Sequence, residues 1–173
     1  MTNHHLVRFA ASLAVIAGGA TLAPLPARAQ GGGFGAPGQI VIRGDFEGHL
    51  RNGWELRLHP AIDYFIANNV SIGGVVGLQY NSGPSTTTVE LGVRAGYNLA
   101  IVNQVTFWPT AGIFYSHFSN DMTSGSSTFL EIFAPFLYHI VPHFFVGAGP
   151  IFDLSLDNNG NGYGLQTVIG GWF

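Results

Sequence analysis

The chain has 173 residues, 47% hydrophobic and only 9% charged, with 25 glycines, no cysteine and a formal net charge of −3. Its six basic residues, histidine apart, are arginines scattered along the chain, which excludes nucleic acid as a partner because phosphate contacts need clustered Lys and Arg. A disulfide framework is excluded as well, and the length suits one domain.

Residues 1–29 read as a cleaved secretory signal: a short polar start with Arg8, the uncharged run "FAASLAVIAGGATLA", and Ala27-Arg28-Ala29 as a small-x-small cleavage site. The apolar run is shorter than the roughly 20 residues a spanning helix needs, and no later segment is long enough either. Residues 30–38, with "GGGFGAPG", read as a flexible periplasmic leader.

Beyond residue 38 the chain alternates between strand-like runs and turn-like gaps. The runs cover 39–47, 54–66, 70–80, 88–100, 105–118, 128–140, 144–156 and 164–173. Most are about ten residues or longer, the length of a tilted strand crossing a bilayer, whereas ordinary strands average about five or six. Gaps after the second, fourth and sixth runs are tight. Those near 48–53, 81–87, 119–127 and 157–163 are longer and rich in Gly, Ser, Asn and Thr. Bacterial barrels have short periplasmic turns and longer outer loops, so both mature termini are expected in the periplasm. Pro60, Pro109, Pro135 and Pro150 interrupt the runs and predict bulges or irregular register.

Period-two alternation gives each run two faces. In "WELRLHPAIDYFI" the set Trp54, Leu56, Leu58, Ile62, Tyr64, Ile66 opposes Glu55, Arg57, His59, Asp63. The same split recurs around Glu90 and Arg94, Glu131 and His139, and Asp153. A soluble barrel would put the large apolar face inside, but an eight-stranded lumen holds little more than side chains. Small, polar and glycine residues would fit there, so the apolar face is expected on lipid. Tyr64, Tyr97 and Tyr138, each on that face just before a tight turn, are expected in an interfacial aromatic girdle.

The last strand ends in Phe173 with Ile169 and Leu165 at alternate positions, and this resembles the assembly signal of bacterial outer-membrane barrels. Gly171 departs from that pattern, with Trp172 as a candidate substitute. The run count, lengths and loop pattern over 39–173 resemble the small eight-stranded family of OmpX-type, OmpA-barrel and opacity-type proteins. The resemblance implies an all-β transmembrane antiparallel up-and-down barrel of eight strands in a Gram-negative outer membrane, with residues 39–173 as the barrel domain. It implies as surroundings the membrane lipid and lipopolysaccharide and the barrel-assembly machinery, with the protein a monomer. It implies no particular activity, because the fold hosts several.

By alternation Arg43, Asp45, Glu47, Glu55, Arg57, His59, Asp63, Glu90, Arg94, Glu131, His139 and Asp153 point inward. Buried charges must pair, which predicts a salt-bridged plug in preference to a narrow channel. Glu90 and Arg94 are too far apart on one strand to pair. Neighbouring strands must supply partners, with Asp63, Glu55 and Glu131 available to Arg94. A porin-like channel remains an alternative. Another comes from "SHFSND": His117, Ser119 and Asn120, with Glu131 downstream, resemble the His-x-Ser-Asn stretch and Glu of outer-membrane lipid A deacylases. A His-activated serine is a sound hydrolytic device, but alternation puts Glu131 on the lumen face, so these are weak catalytic candidates. No metal or cofactor spacing occurs. A structural or surface-interaction barrel is the favoured reading, with an enzyme second and a channel third.

Overall fold

The computed structural model of the protein describes residues 33–50, 54–82, 86–119, 123–157 and 160–173, with side chains described except at 47–50 and 54–56. The expected signal, residues 1–29, lies outside them. In chain order the strands are β1 (Ile40–Leu50), β2 (Trp54–Ala67), β3 (Val70–Asn81), β4 (Thr86–Tyr97), β5 (Leu99–Val102), β6 (Val105–Phe107), β7 (Thr110–Ser119), β8 (Ser124–Phe133), β9 (Phe136–Val141), β10 (Phe144–Ser155) and β11 (Gly162–Trp172). Every pairing is antiparallel, and β11 pairs with both β1 and β10. Strands β11, β1, β2, β3, β4, β7, β8 and β10 therefore close an eight-strand ring. Closure leaves none of these eight with an open edge, as a barrel in lipid requires, while the short β5 pairs with β6 alone and ends the strand order.

The eight expected runs form this wall, but three are split. The fourth breaks at Asn98 into β4 and β5, the fifth at Trp108-Pro109 into β6 and β7, and the sixth at Ala134-Pro135 into β8 and β9. Proline has no N–H for the ladder, so Pro109 and Pro135 stop the regular pairing. Their carbonyls still serve the wall. Tyr97 N donates to Pro109 O at 3.0 Å, Trp108 N to Pro135 O at 3.0 Å, and Ala134 N to Pro150 O at 3.0 Å. The prolines thus step diagonally from strand to strand. The register shifts lie elsewhere, beside the tight turns, between Phe65 and Ala67, Ala100 and Val102, and Phe144 and Phe145. The irregular register expected at Pro60 and Pro150 is absent: Pro60 stays opposite Gly44 and Pro150 opposite Leu165.

Strands also reach further into the hydroxyl-rich gaps than expected. β4 starts at Thr86 and β8 at Ser124, because serine and threonine pair across strands. Ser116 Oγ and Ser127 Oγ are 2.8 Å apart.

Alternation survives the breaks at Pro109 and Pro135, whereas β5, past Asn98, is exposed at every position. In the fifth run Thr106, Trp108, Thr110, Phe114 and Ser116 are buried, while Ile113 and Tyr115 are exposed. The outer surface is strongly apolar: Val93 is 68% exposed, Ile62 58% and Leu91 56%. Tyr64, Tyr97 and Tyr138 lie on it at one end, beside Ile40, Val70 and Val105 of the partner strands. Tyr80, Tyr115 and Tyr163 are exposed toward the opposite end, a second set that the tight-turn pattern did not mark.

The interior departs from expectation. It was expected to hold small, polar and glycine residues, yet Phe65, Trp108, Phe114, Phe133, Leu137, Phe145 and Trp172 are buried there. Glycines make the room. A Cβ at Gly96 would lie 2.7 Å from Trp108 Nε1, and one at Gly170 would lie 2.6 Å from Phe145 Cζ. Large and small residues alternate across the strands, as in other small barrels. Trp172 points inward, so it cannot fill the outer place left by Gly171, whereas Phe173 is exposed.

Candidate functional site

The lumen has three levels. Nearest the start of β1 and the end of β11 is an aromatic layer, in which Phe65, Trp108, Phe133, Leu137, Phe145, Ile151, Val168 and Trp172 pack with Val41. Phe65 stacks on Trp108 and Phe145 on Trp172, with ring centroids 5.8 and 6.2 Å apart. The Arg43 guanidinium caps the layer, 4.7 Å above the Trp108 ring and 5.6 Å from Phe133, in cation–π contact.

The middle level is ionic, and strand register builds it. Asp63 on β2 sits opposite Gly73 on β3, and Gly73 sits opposite Arg94 on β4. With no side chain between them, Arg94 reaches over β3: Nε donates to Asp63 Oδ1 at 2.9 Å and Nη2 to Oδ2 at 2.5 Å. This bidentate fork is the strong form of the pair. Arg94 Nη1 is also 3.5 Å from Asp45 Oδ2, and Arg43 Nε is 3.7 Å from both Asp45 Oδ1 and Asp63 Oδ2. Two guanidinium groups thus meet two carboxylates, but unequally: Arg94 is hydrogen-bonded to Asp63, whereas Arg43 faces its carboxylates without a hydrogen bond to either. A second pair repeats the device: His59 Nε2 lies 2.7 Å from Glu90 Oε2, and a Cβ on Gly77 would fall 2.7 Å from His59 Nε2 and 2.8 Å from Glu90 Cβ.

Arg94's partner is therefore on the second strand away, and not on an adjacent one as expected. Of the three acids available to it, it takes Asp63. Glu131 faces Arg94 from the other side across Gly112. It is buried on the lumen face and makes no ion pair among the described residues. The side chains of Glu47 and Glu55 lie outside those described.

The outer level is wetter. Arg57 Nε donates to Gln79 Oε1 at 3.2 Å, and Arg57 Nη1 is 4.0 Å from Asp153 Oδ2, with both ends of this pair partly exposed. Together with Thr88, Ser116, Ser127 and Phe129 they line a cavity of about 460 Å³ above the Glu90 level. His139 belongs to the opposite end, where its Nε2 is 3.1 Å from Thr106 Oγ1.

The catalytic candidates are not brought together. His117 and Ser119 are exposed on the outer face and Glu131 is buried inside. Register puts Gly112, not His117, opposite Glu131. Five residues along a strand separate the levels by about 17 Å. The serine hydroxyl beside His117 is Ser126: its Oγ is 3.1 Å from His117 Nδ1 and accepts from Tyr115 OH at 2.8 Å. Asn120 lies outside the described residues.

Comparison with solved structures places the ring among small outer-membrane barrels. The N-terminal β-barrel domain of Pseudomonas aeruginosa OprF matches with a TM-score of 0.59 at 16% identity, over 79% of this chain and 98% of that one. Neisserial surface protein A matches at 0.53 and 14% identity, over 78% and 92%. Ail, the attachment invasion locus protein of Yersinia pestis, matches at 0.52 and 17% identity, over 79% and 99%. At such identities the likeness is one of fold. No family model matches the sequence, and no curated protein does.

Proposed function

We propose that this chain is an integral bacterial outer-membrane barrel with a closed lumen, acting as a structural or surface-interaction protein and not as a conduit. The carrying observation is the inversion of the usual soluble pattern: exposed Ile, Val, Leu and Tyr around the outside, and the Arg94–Asp63 fork buried within. An apolar exterior of this extent has water-excluding lipid as its natural surroundings. Residues 1–29 act as the export signal, the mouth bearing the termini faces the periplasm, and Tyr64, Tyr97 and Tyr138 sit at that interface. The monomer is the working unit, delivered by the barrel-assembly machinery and bordered by lipid and lipopolysaccharide. Extraction from outer membranes should give a band whose gel migration changes on heating. Recovery as a soluble periplasmic protein would sink the reading.

A lipid-modifying hydrolase is the second reading, favoured only by the His117–Ser126 contact on the outer face. The carboxylate expected to complete it, Glu131, is buried inside. Mass spectrometry of lipid A from cells with and without the protein tests it, and loss of an acyl chain would promote it.

A further inference from the structure

We propose that residues 33–39 form a strap that corks the barrel at the mouth where β1 begins and β11 ends, with Phe34 as the cork and Gly35 as its lock. This stretch was expected to be a flexible leader. Its rings and hydrogen bonds tie it to the wall instead. The Phe34 ring lies 5.3 Å from Phe65, 5.2 Å from Trp108, 5.2 Å from Trp172, 5.5 Å from Phe145 and 5.2 Å from His139. One residue outside the strands thus touches rings from several parts of the wall, a placement that strand packing alone does not require.

The backbone of the strap is held as firmly as its ring. Asn98 Nδ2 donates to Phe34 O at 2.9 Å, Asn69 N to Gly35 O at 2.8 Å, and Gly38 N to Phe65 O at 2.8 Å. Gln39 turns its own side chain back to accept from Gly35 N at 2.8 Å and Ala36 N at 3.2 Å. Asn69 forms the β2–β3 turn and Asn98 sits at the β4–β5 break, so two irregular points of the wall supply the clamp. Gly35 cannot be replaced freely. Its φ is +104°, and a Cβ there would lie 2.5 Å from Asn69 Oδ1 and 2.9 Å from Asn98 Nδ2. Gly33, two residues away, has nothing within 4 Å.

Beside the cork is a cavity of about 560 Å³ whose lining includes Phe34, Thr106, His139 and Trp172. Lifting the strap would join this cavity to the aromatic layer and let water reach Trp108. The ionic level lies beyond, so the strap governs wetting of the lower lumen and not ion flow.

The chain has no cysteine, so single cysteines report cleanly. In lipid nanodiscs, Phe34→Cys should react with a small maleimide at least about tenfold more slowly than Pro37→Cys, and the two should react alike in urea. Adding Gly35→Ala should abolish the protection, and adding Gly33→Ala should leave it. Because cysteine is a smaller cork than phenylalanine, a second measurement keeps the native ring. In a Trp54→Phe background, acrylamide should quench tryptophan fluorescence more strongly in Gly35→Ala than in its parent, and Gly33→Ala should match the parent. Equal labelling of the two cysteines in the folded state, or quenching unaltered by Gly35→Ala, would overturn the strap. Bilayer conductance should stay at zero in all these variants, so the strap and the ionic plug fail by different readouts.

Discussion

Single residues decide the interior by what they lack as much as by what they carry. Gly73 is the clearest case, since the Arg94–Asp63 fork passes over it and a Cβ there would lie 2.7 Å from Asp63 Cγ. Gly73→Ala should therefore destabilise the barrel by about 1–3 kcal/mol, the usual cost of overpacking. Gly74 is its control. It is exposed on the outer face, and a Cβ there would come no nearer than 4.0 Å to its closest neighbour, Gly92 O. Gly74→Ala should be neutral or stabilising by up to about 1 kcal/mol, because glycine weakens a strand. Urea unfolding of both variants in lipid vesicles checks the pair, and equal effects would remove the special role of Gly73. Arg94→Leu leaves Asp63 and Asp45 without their closest cation and should cost about 3–5 kcal/mol. A loss under about 1 kcal/mol would mean hydrated acids and a wet lumen.

At the scale of elements, the wall tolerates prolines because neighbouring strands use their carbonyls. Trp108 lies at the break between β6 and β7, fully buried, and donates from Nε1 to Ser71 Oγ at 3.2 Å. Trp108→Ala empties the centre of the aromatic layer and should cost about 3–5 kcal/mol, read by the same urea titration. A neutral result would show that the layer collapses to fill the gap. The seam between first and last strands ends in a reciprocal pair: Phe173 N donates to Ile40 O at 3.0 Å and Ile40 N to Phe173 O at 3.1 Å. Deleting Phe173 should lower the amount of heat-modifiable barrel without reducing export. Unchanged folded protein would make this end an ordinary strand terminus.

For the whole molecule, the proposed closure of the lumen is the property to test. Aromatic, ionic and hydroxyl-lined levels succeed one another along the axis. Among the ion pairs between described residues, the outermost, Arg57 with Asp153, is partly exposed and the others are buried. The purified protein should show no steady conductance in planar bilayers. Steady conductance, together with a small stability loss in Arg94→Leu, would replace the plug by a channel.

The alternation of faces was legible in the sequence because side-chain direction follows the pleat with period two, whatever the partner strands do. It held through the breaks at Pro109 and Pro135, though not into β5, and it placed Arg43, Asp63, Glu90, Arg94 and Glu131 inside and Tyr64, Tyr97 and Tyr138 outside. The same alternation also puts Trp108 and Phe114 inside. Treating the lumen as uniformly narrow hid this, since the room comes from glycines on other strands. What only the tertiary structure decided is every relation that depends on register between distant segments. Asp63 meets Arg94 across Gly73, His117 meets Ser126 and not Ser119, and Phe34 is drawn into rings contributed by β2, β10, β11 and the β6–β7 break. A local pattern fixes which way a side chain points. Which side chain it meets is set by how the closed ring aligns its strands.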